Sequence, residues 1–210
     1  LEEAKKWYIK AGEQGNVGAM LNLALIHGNE NNKKEEEAWY LKAAEAGSAQ
    51  AQFNLGVIDK NKKEYRKAEE WYLKAANQNY VPAYKAIGAL YSKKKDYKEA
   101  EKWYLKAANQ SHLSSYRALG YIHSEEEKYN EAEKWYLKAL EMGDQSKEIY
   151  KNIGILYSKM NEFEKSLYFL EKALKKEPDN KMINCNILEV KKKLQNSNDV
   201  DIYIEKCNMD

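Results

Sequence analysis

Side chains that could act as nucleophiles, general bases or metal ligands form no recognisable catalytic or metal-binding motif in this 210-residue sequence. The three histidines, His27, His112 and His123, show no spacing typical of zinc ligation. The sequence contains no recognisable serine–histidine–aspartate or cysteine–histidine arrangement and no glycine-rich phosphate loop. We therefore predict no catalytic residue, no metal site and no cofactor. We interpret His27 and His123, which share one repeat position, as structural.

A second set of side chains has the chemistry to bind an anion. Lys85, Arg117 and Lys151 each lie three residues before a glycine, at one recurring position. Cationic side chains form strong charge-assisted hydrogen bonds with carboxylates. The recurrence therefore favours an acidic peptide or a chain-end carboxylate as ligand. Ordinary solvated surface positions are the alternative interpretation.

The elements that would position these side chains are repeated. A Trp-Tyr pair recurs every 32 residues, beginning at Trp7, Trp39, Trp71, Trp103 and Trp135. A fixed period of roughly 20 to 50 residues is typical of stacked repeats that bury their core between neighbours. An aromatic cage or a base-stacking surface would need converging rings, so the regular spacing favours packing between helices.

Each repeat has the pattern of two helices. The first helix carries a small residue at a fixed position: Ala24, Gly56, Gly88, Gly120 and Gly154. The second helix begins near an aromatic residue, at Tyr65, Tyr97, Tyr129 or Phe163. It then places a large residue at Tyr72, Tyr104, Tyr136 and Leu170. Small residues allow a close approach between helices, so we predict an all-α fold with five helix pairs or slightly more.

The pattern divides the chain into three segments. A helical repeat array covers residues 1–178, and its last unit has 34 residues because two extra residues fall near Met142–Lys147. We expect that insertion in a solvated turn. A C-terminal capping helix covers residues 179–195, with Lys191 on its solvated face. Residues 196–210 are predicted to form a short helix or a mobile tail.

Charge and composition narrow the classes of partner. Charged residues make up 32% of the chain but leave a formal net charge of only +2, which gives no general attraction to nucleic acid or to an anionic membrane. No apolar run approaches the roughly 18–20 residues that span a bilayer. Leu1 stands inside a repeat, so we expect the chain to be truncated at its N-terminus.

The two cysteines, Cys185 and Cys207, lie outside the repeats and form no CxxC motif. Their number fits a reducing compartment and slightly favours the cytoplasm, although the sequence identifies no compartment. A lone disulfide between them is the alternative.

These repeats resemble the tetratricopeptide superfamily. Tyr84-x2-Ile87-Gly88-x2-Tyr91, followed by Ala100-x3-Tyr104, follows its residue order. The wording of Trp39–Gly47 is similar to the Sel-one-like (Sel1-like) branch, although the units here are shorter and less rich in glycine. The resemblance covers about residues 1–178. It implies a right-handed superhelical solenoid of antiparallel helix pairs and an adaptor or scaffold that binds proteins or peptides without catalysis.

The resemblance also implies a ligand groove, because certain positions of the first helix face the concave side in this family. At those positions stand Leu21, Asn22, Leu25, Phe53, Asn54, Val57, Lys85, Arg117, Tyr121, Lys151 and Asn152. The early positions are apolar and the later ones cationic. We therefore expect a ligand with an apolar segment followed by acidic residues or a free carboxylate. The chain's own tail, near Val200–Glu205, has this character and is predicted to compete weakly for a groove.

Three functions fit the sequence. The first is a non-enzymatic adaptor that binds a peptide segment in its groove. The second is a self-assembling structural element, in which the half-repeat at residues 1–14 allows weak end-to-end association. The third is a regulatory repeat region of a larger enzyme.

Overall fold

A computed structural model describes residues 2–194 together with residues 203, 204 and 207, and every regular element among them is helical. The elements within residues 2–194 are α1 (Glu2–Glu13), α2 (Val17–Asn29), α3 (Lys33–Glu45), α4 (Ala49–Asn61), α5 (Tyr65–Asn77), α6 (Val81–Lys93), α7 (Tyr97–Ala108), α8 (Leu113–Glu125), α9 (Tyr129–Glu141), α10 (Lys147–Lys159), α11 (Phe163–Lys176) and α12 (Lys181–Lys193). The predicted all-α repeat fold is confirmed.

The helices alternate between two kinds. We call the even-numbered helices α2 to α10 first helices and the odd-numbered helices α3 to α11 second helices. Each first helix and the second helix that follows it form a pair, so the described residues contain the five predicted pairs. The chain divides into two compact units, Leu1–Ala107 and Ala108–Asp210, which are described separately.

The turn inside each pair has a fixed geometry. After α4, the backbone N–H of Lys63 donates to the carbonyl of Lys60 (3.0 Å), and that of Glu64 donates to Asp59 (2.9 Å). Lys63 itself is left-handed, with φ of 65°. This combination ends a helix by satisfying its last carbonyl groups. The same left-handed residue recurs after the other first helices, at Asn31, Lys95, Glu127 and Asn161. The repeated turn therefore returns each second helix along its first helix in a similar way.

A contact between a glycine and a ring or leucine sets the distance within the four pairs from α4–α5 to α10–α11. A Cβ atom added at Gly88 would lie 2.7 Å from Cδ1 of Tyr104, closer than nonbonded carbon atoms approach. Gly56 meets Tyr72 in the same way in the first unit, whereas in the second unit Gly120 meets Tyr136 and Gly154 meets Leu170. The close approach predicted from these small residues is therefore present in both units.

Most of these tryptophan side chains pack against the core or against another ring, and Trp7 does not. In the first unit, Trp39 is only 6% exposed within the cluster around Leu23 and Leu55, and Trp103 lies 6.0 Å from Tyr84 between ring centroids. In the second unit, Trp135 lies 6.2 Å from the ring of Tyr116. These contacts agree with packing between helices. Trp7 differs, since its side chain is 64% exposed on α1, and within the described residues no first helix precedes α1.

The C-terminal helix α12 packs on α11. Asn180 caps its N-terminus by accepting a hydrogen bond from the N–H of Ile183 (3.0 Å). Ile183 and Ile187 are buried against Leu170, as the apolar pattern predicts. Lys191 departs from the predicted solvated face: it is buried, with its ammonium 4.7 Å from the ring centroid of Tyr203. The division into array, cap and tail stays a prediction.

Cys185 and Cys207 form a disulfide, with their Cα atoms 5.0 Å apart. The bond joins α12 to the last described part of the chain, which is the alternative that the sequence left open. Most of the predicted tail, including the segment Val200–Ile202, lies outside the described residues. None of the described helices has the length and apolar content needed to cross a bilayer.

We predict that Gly88→Ala lowers the free energy of unfolding by about 1–3 kcal/mol, because the new methyl group overpacks against Tyr104. The measurement is chemical denaturation of both proteins. Helix propensity alone would act in the opposite direction, raising stability by about 1 kcal/mol. A stabilised variant would therefore contradict the close contact.

Candidate functional site

A cleft of about 350 Å³ opens in the first unit, between the start of α3 and the end of α4. From α3 it is lined by Lys33, Glu36, Glu37 and Tyr40. From α4 it is lined by Asn54, Val57, Ile58, Asn61 and Lys62.

The inner wall of the cleft is apolar and aromatic. Tyr40 is only 4% exposed, while Val57 and Ile58 are half-buried and present aliphatic surface. Burial raises the pKa of the Tyr40 hydroxyl and the nearby Glu36 carboxylate raises it further, against a smaller opposing effect of a hydrogen bond with Asn54. Tyr40 therefore stays neutral at physiological pH, and the cleft offers a polar hydroxyl without a charge at its base.

The rim of the cleft carries both signs of charge. The Lys62 ammonium donates to both carboxylate oxygens of Glu37, at 2.7 and 2.6 Å. The Lys33 ammonium lies 2.9 Å from Oε2 of Glu36. Ion pairs this exposed contribute only about 0–1 kcal/mol. A ligand can therefore displace them at little cost in free energy.

The groups that line this cleft can bind a side chain. The phenol of Tyr40 is made less acidic, which is the opposite of nucleophile activation. Across the described residues, histidine, cysteine, aspartate and glutamate side chains do not gather in a set of three that could hold a metal ion. The chemistry on offer is recognition through apolar contact, hydrogen bonds and short ion pairs.

Two of the groove residues expected from the resemblance, Asn54 and Val57, meet in this cleft. On α2, Leu25 is 50% exposed, Asn22 is exposed and Leu21 is half-buried against the core. Exposed apolar surface therefore occurs on two successive first helices of the first unit.

The other expected groove residues differ in how far they are buried. Phe53 packs against the rings of Tyr72 and Tyr80, each with a centroid distance of 5.5 Å, so its ring belongs to the core of the first unit. Lys85 on α6 is half-buried. In the second unit, Tyr121 is 45% exposed on α8, whereas Lys151 and Asn152 are half-buried on α10.

Arg117 is engaged inside the second unit. Its Nη1 atom donates to Oδ2 of Asp144 at 2.9 Å and also to the hydroxyl of Ser146. Asp144 is only 7% exposed and accepts the N–H and the hydroxyl of Ser146, at 3.0 and 2.6 Å. Asp144 and Ser146 lie in the turn that carries the two-residue insertion, where Met142, Gly143 and Gln145 are exposed as predicted and Asp144 is buried. The turn is therefore largely solvated but is also held by the ion pair with Arg117. Arg117 is therefore a structural cation rather than an ordinary surface residue.

The contribution of α3 to the cleft is not predicted from the sequence, because the resemblance assigns the groove to first helices. Tyr40, Glu36 and Glu37 are the residues that this omits. One signal was present: Lys33 occupies the position where the later second helices begin with an aromatic residue.

A buried carboxyl group stands next to the cleft. The hydroxyl of Tyr91 donates to Glu69 at 2.6 Å between α6 and α5. The corresponding residue of α4 is Asp59, which is 7% exposed. Burial raises its pKa, the Lys62 ammonium opposes that change, and neighbouring carboxylates including Glu37 reinforce it. A carboxyl group thus replaces a hydrogen-bond donor at this position.

The comparisons with known families divide the chain between two repeat types. Tetratricopeptide repeat models match residues 17–46 and 112–176. The Sel1 repeat model matches residues 1–16, 49–80 and 83–112. No curated protein matches the sequence.

Solved structures share the fold. The structure from a functional characterisation of Pseudomonas aeruginosa pilF is 19% identical, with 91% of this chain and 90% of that chain covered and a TM-score of 0.79. A Sel1 repeat protein from Oxalobacter formigenes is 26% identical, with 94% and 87% covered and a TM-score of 0.74. YrrB, described as a TPR protein with an unusual peptide-binding site, is 20% identical, with 80% and 90% covered and a TM-score of 0.61.

We predict that Arg117→Glu lowers the free energy of unfolding by about 2–4 kcal/mol, because it leaves the Asp144 carboxylate buried beside a like charge. Thermal and chemical denaturation measure the loss. Lys134→Glu, at an exposed position of α9, is the matched control and should change stability by about 0.5 kcal/mol or less. Equal behaviour of the two variants would show that the ion pair does not form.

We predict that Asp59→Asn raises the free energy of unfolding at pH 7. An acid with a raised pKa in the folded state is penalised while ionised, and the penalty disappears as pH falls through that folded pKa. The advantage of the variant should therefore shrink on acidification toward roughly pH 4. Denaturation curves across this range test the prediction, with exposed Glu70→Gln as the control. A pH-independent difference would contradict it.

Proposed function

We propose that this chain, a tetratricopeptide-like repeat protein that also carries Sel1 repeats, is a non-enzymatic adaptor that binds a peptide segment of a partner in the α3–α4 cleft and along neighbouring first helices. Repeats of these two types generally mediate protein–protein interaction. The peptide segment, the cleft and the lack of catalysis are the specific parts of the proposal.

The observation that carries the proposal is the cleft itself. It combines a buried aromatic base, aliphatic walls and a rim of displaceable ion pairs. Pockets that bind ligands are commonly concave and mostly apolar, with a few polar groups that fix orientation. A volume of about 350 Å³ accommodates one large side chain of a bound peptide.

Apolar surface on the preceding first helix supports a ligand longer than one residue. Leu25 on α2 and Val57 on α4 stand at the same repeat position, and Ala89 on α6 follows at that position. Leu25 and Ala89 are exposed, and Val57 is half-buried in the cleft. A peptide that crosses successive first helices in the first unit would meet these residues in turn.

The expected acidic character of the ligand is the finer part of the proposal. In the second unit, Arg117 is paired with Asp144, so we place the cationic contribution of that unit on Lys151, beside Asn152. In the first unit, Lys85 holds the corresponding repeat position. Within either unit, a ligand carboxylate would form a charge-assisted hydrogen bond with that unit's ammonium group. Its contribution to affinity would weaken as salt concentration rises.

Self-association is a second candidate, and the exposed face of α1 favours it. Trp7 is 64% exposed, whereas Trp39 at the same repeat position is 6% exposed. A large exposed aromatic ring is a common anchor in protein–protein contacts. A regulatory role within a larger enzyme has no comparable observation in its favour.

The test is selection of a displayed peptide library on the chain, followed by affinity measurements on the selected peptides. We predict that Val57→Arg weakens their binding at least about tenfold, equivalent to about 1.4 kcal/mol. Leu41→Arg is the matched control, because Leu41 is 40% exposed on α3 and does not line the cleft. Its affinity should stay within about twofold.

Two outcomes would contradict the proposal. One is that no peptide is enriched, and the other is that the selected peptides bind the Val57→Arg variant as tightly as the original chain. Sedimentation velocity over a range of concentrations separates the alternative. A mass that rises with concentration and falls back in Trp7→Ala would support self-association.

A further inference from the structure

We propose that the α3–α4 cleft takes an aromatic side chain of the partner, tyrosine above all, in the place where other repeats carry an aromatic ring of their own. This inference rests on the proposed function, because it names the anchor residue of the bound peptide. Its basis is the aromatic residue that other repeats of this chain carry at the corresponding position.

The first residue of each second helix follows one pattern with one exception among α3 to α11. An aromatic residue begins α5, α7, α9 and α11, namely Tyr65, Tyr97, Tyr129 and Phe163. The exception is α3, which begins with Lys33. Among these second helices, the difference is therefore confined to α3, which forms one side of the cleft.

The aromatic residue at this position bridges two helices. Tyr65, at the start of α5, packs against the core cluster that includes Tyr72. Lys93, at the end of α6, lies over the Tyr65 ring at 4.2 Å from its centroid and donates to its hydroxyl at 2.6 Å. In the second unit, Phe163 packs on the Leu170 cluster, and the Lys193 ammonium lies 5.4 Å from its centroid. The ring thus fills the space between the start of a second helix and the end of the next first helix.

Between α3 and α4, no ring of the described residues fills the corresponding space, although the Tyr40 ring lines its base. The Lys33 side chain is 69% exposed and its ammonium is paired with Glu36. The residue of α4 that corresponds to Lys93 is Asn61. Lys33 and Asn61 both line the cleft. The cleft therefore lies at the place that corresponds to the contact between Tyr65 of α5 and Lys93 of α6. Its volume of about 350 Å³ exceeds the roughly 150 Å³ of a cavity that holds benzene.

The lining suits an aromatic ring in particular. Tyr40 provides a buried ring at the base, and aromatic pairs gain about 0.5–1.5 kcal/mol beyond the burial of their area. Val57 and Ile58 supply aliphatic contacts for the ring faces. Lys62, at the rim, can approach a ring or a phenol oxygen as Lys93 approaches Tyr65. A hydroxyl at the ring edge would therefore find a donor, which favours tyrosine over phenylalanine.

The charges of the cleft argue against an acidic anchor. Glu36 and Glu37 both line it, and each is paired with a lysine, so an incoming carboxylate would compete with two carboxylates already present. A neutral ring avoids that repulsion. Acidic residues of the partner would then lie outside the cleft, nearer to Lys85.

The experiment supplies the missing ring from the chain. Lys33→Tyr places a tyrosine at the start of α3, the repeat position that Tyr65 holds in α5. Lys34→Tyr is the matched control, since Lys34 is exposed and does not line the cleft.

The probe is N-acetyl-tyrosinamide, titrated into isotope-labelled protein and followed by amide chemical shifts. N-acetyl-alaninamide is the control compound. We expect tyrosinamide alone to shift the amides of Val57 and Ile58.

We expect Lys33→Tyr to weaken tyrosinamide binding at least about tenfold, because the new ring occupies the cleft, while Lys34→Tyr stays within about twofold. Val57→Phe fills the cleft from α4 and should weaken binding to a similar degree, which protects the test if Lys33→Tyr does not fold. Shifts caused equally by alaninamide, or unchanged binding in a folded Lys33→Tyr or Val57→Phe variant, would overturn the inference.

Peptides selected from the library separate this inference from the proposed function. Enriched peptides that share an aromatic residue and lose affinity for the Lys33→Tyr variant would support both. Enriched peptides without an aromatic residue, sensitive to Val57→Arg but not to Lys33→Tyr, would leave the adaptor proposal standing and overturn the aromatic anchor.

Discussion

In the first helices α4 to α10, the contact between a glycine and a ring or leucine of the following second helix is the constraint on which the rest of the structure depends. At Gly56 and Gly88 the tyrosine side chain occupies the place that a Cβ atom would need. The pair cannot separate without losing buried area, nor move closer without a clash. With the spacing fixed, residues at equal positions of successive repeats face equivalent surroundings within each unit. A different residue type at one of these repeat positions therefore changes the local shape of the protein surface.

The α3–α4 cleft is an example of such a change. The backbone on both sides of the cleft follows the same course as in the other repeats, with a left-handed Asn31 before α3 and a left-handed Lys63 after α4. What differs is that a lysine replaces an aromatic ring at the start of the second helix, and that Asp59 replaces a tyrosine nearby. A binding site can therefore arise in a repeat protein when one repeat lacks a side chain that the others have, without any change in the fold.

Much of the fold follows from the sequence because it depends on periodic residues. The 32-residue spacing, the small residues near Gly88 and the rings near Tyr104 specify helices, pairing and burial together. Departures from the period are harder to predict, since they depend on which nonrepeated side chains meet. Arg117 stands at a recurring position, but its partner Asp144 lies in an insertion, so their ion pair leaves no periodic signal. The α3 side of the cleft could not be predicted from the period either. Tyr40 belongs to a second helix, and it lines a cleft only because Lys33 stands where other second helices begin with an aromatic residue.

The disulfide between Cys185 and Cys207 ties α12 to a later part of the chain. Helices in a stacked repeat array contact only their near neighbours, so they can unfold locally before the whole array does. The bond closes a segment of 22 residues around the end of α12, and constraining a loop of this size in the unfolded state contributes about 3 kcal/mol. Under partial denaturation, the segment from Cys185 to Cys207 would therefore stay closed as a loop even after α12 loses its packing on α11, and a reductant would release it.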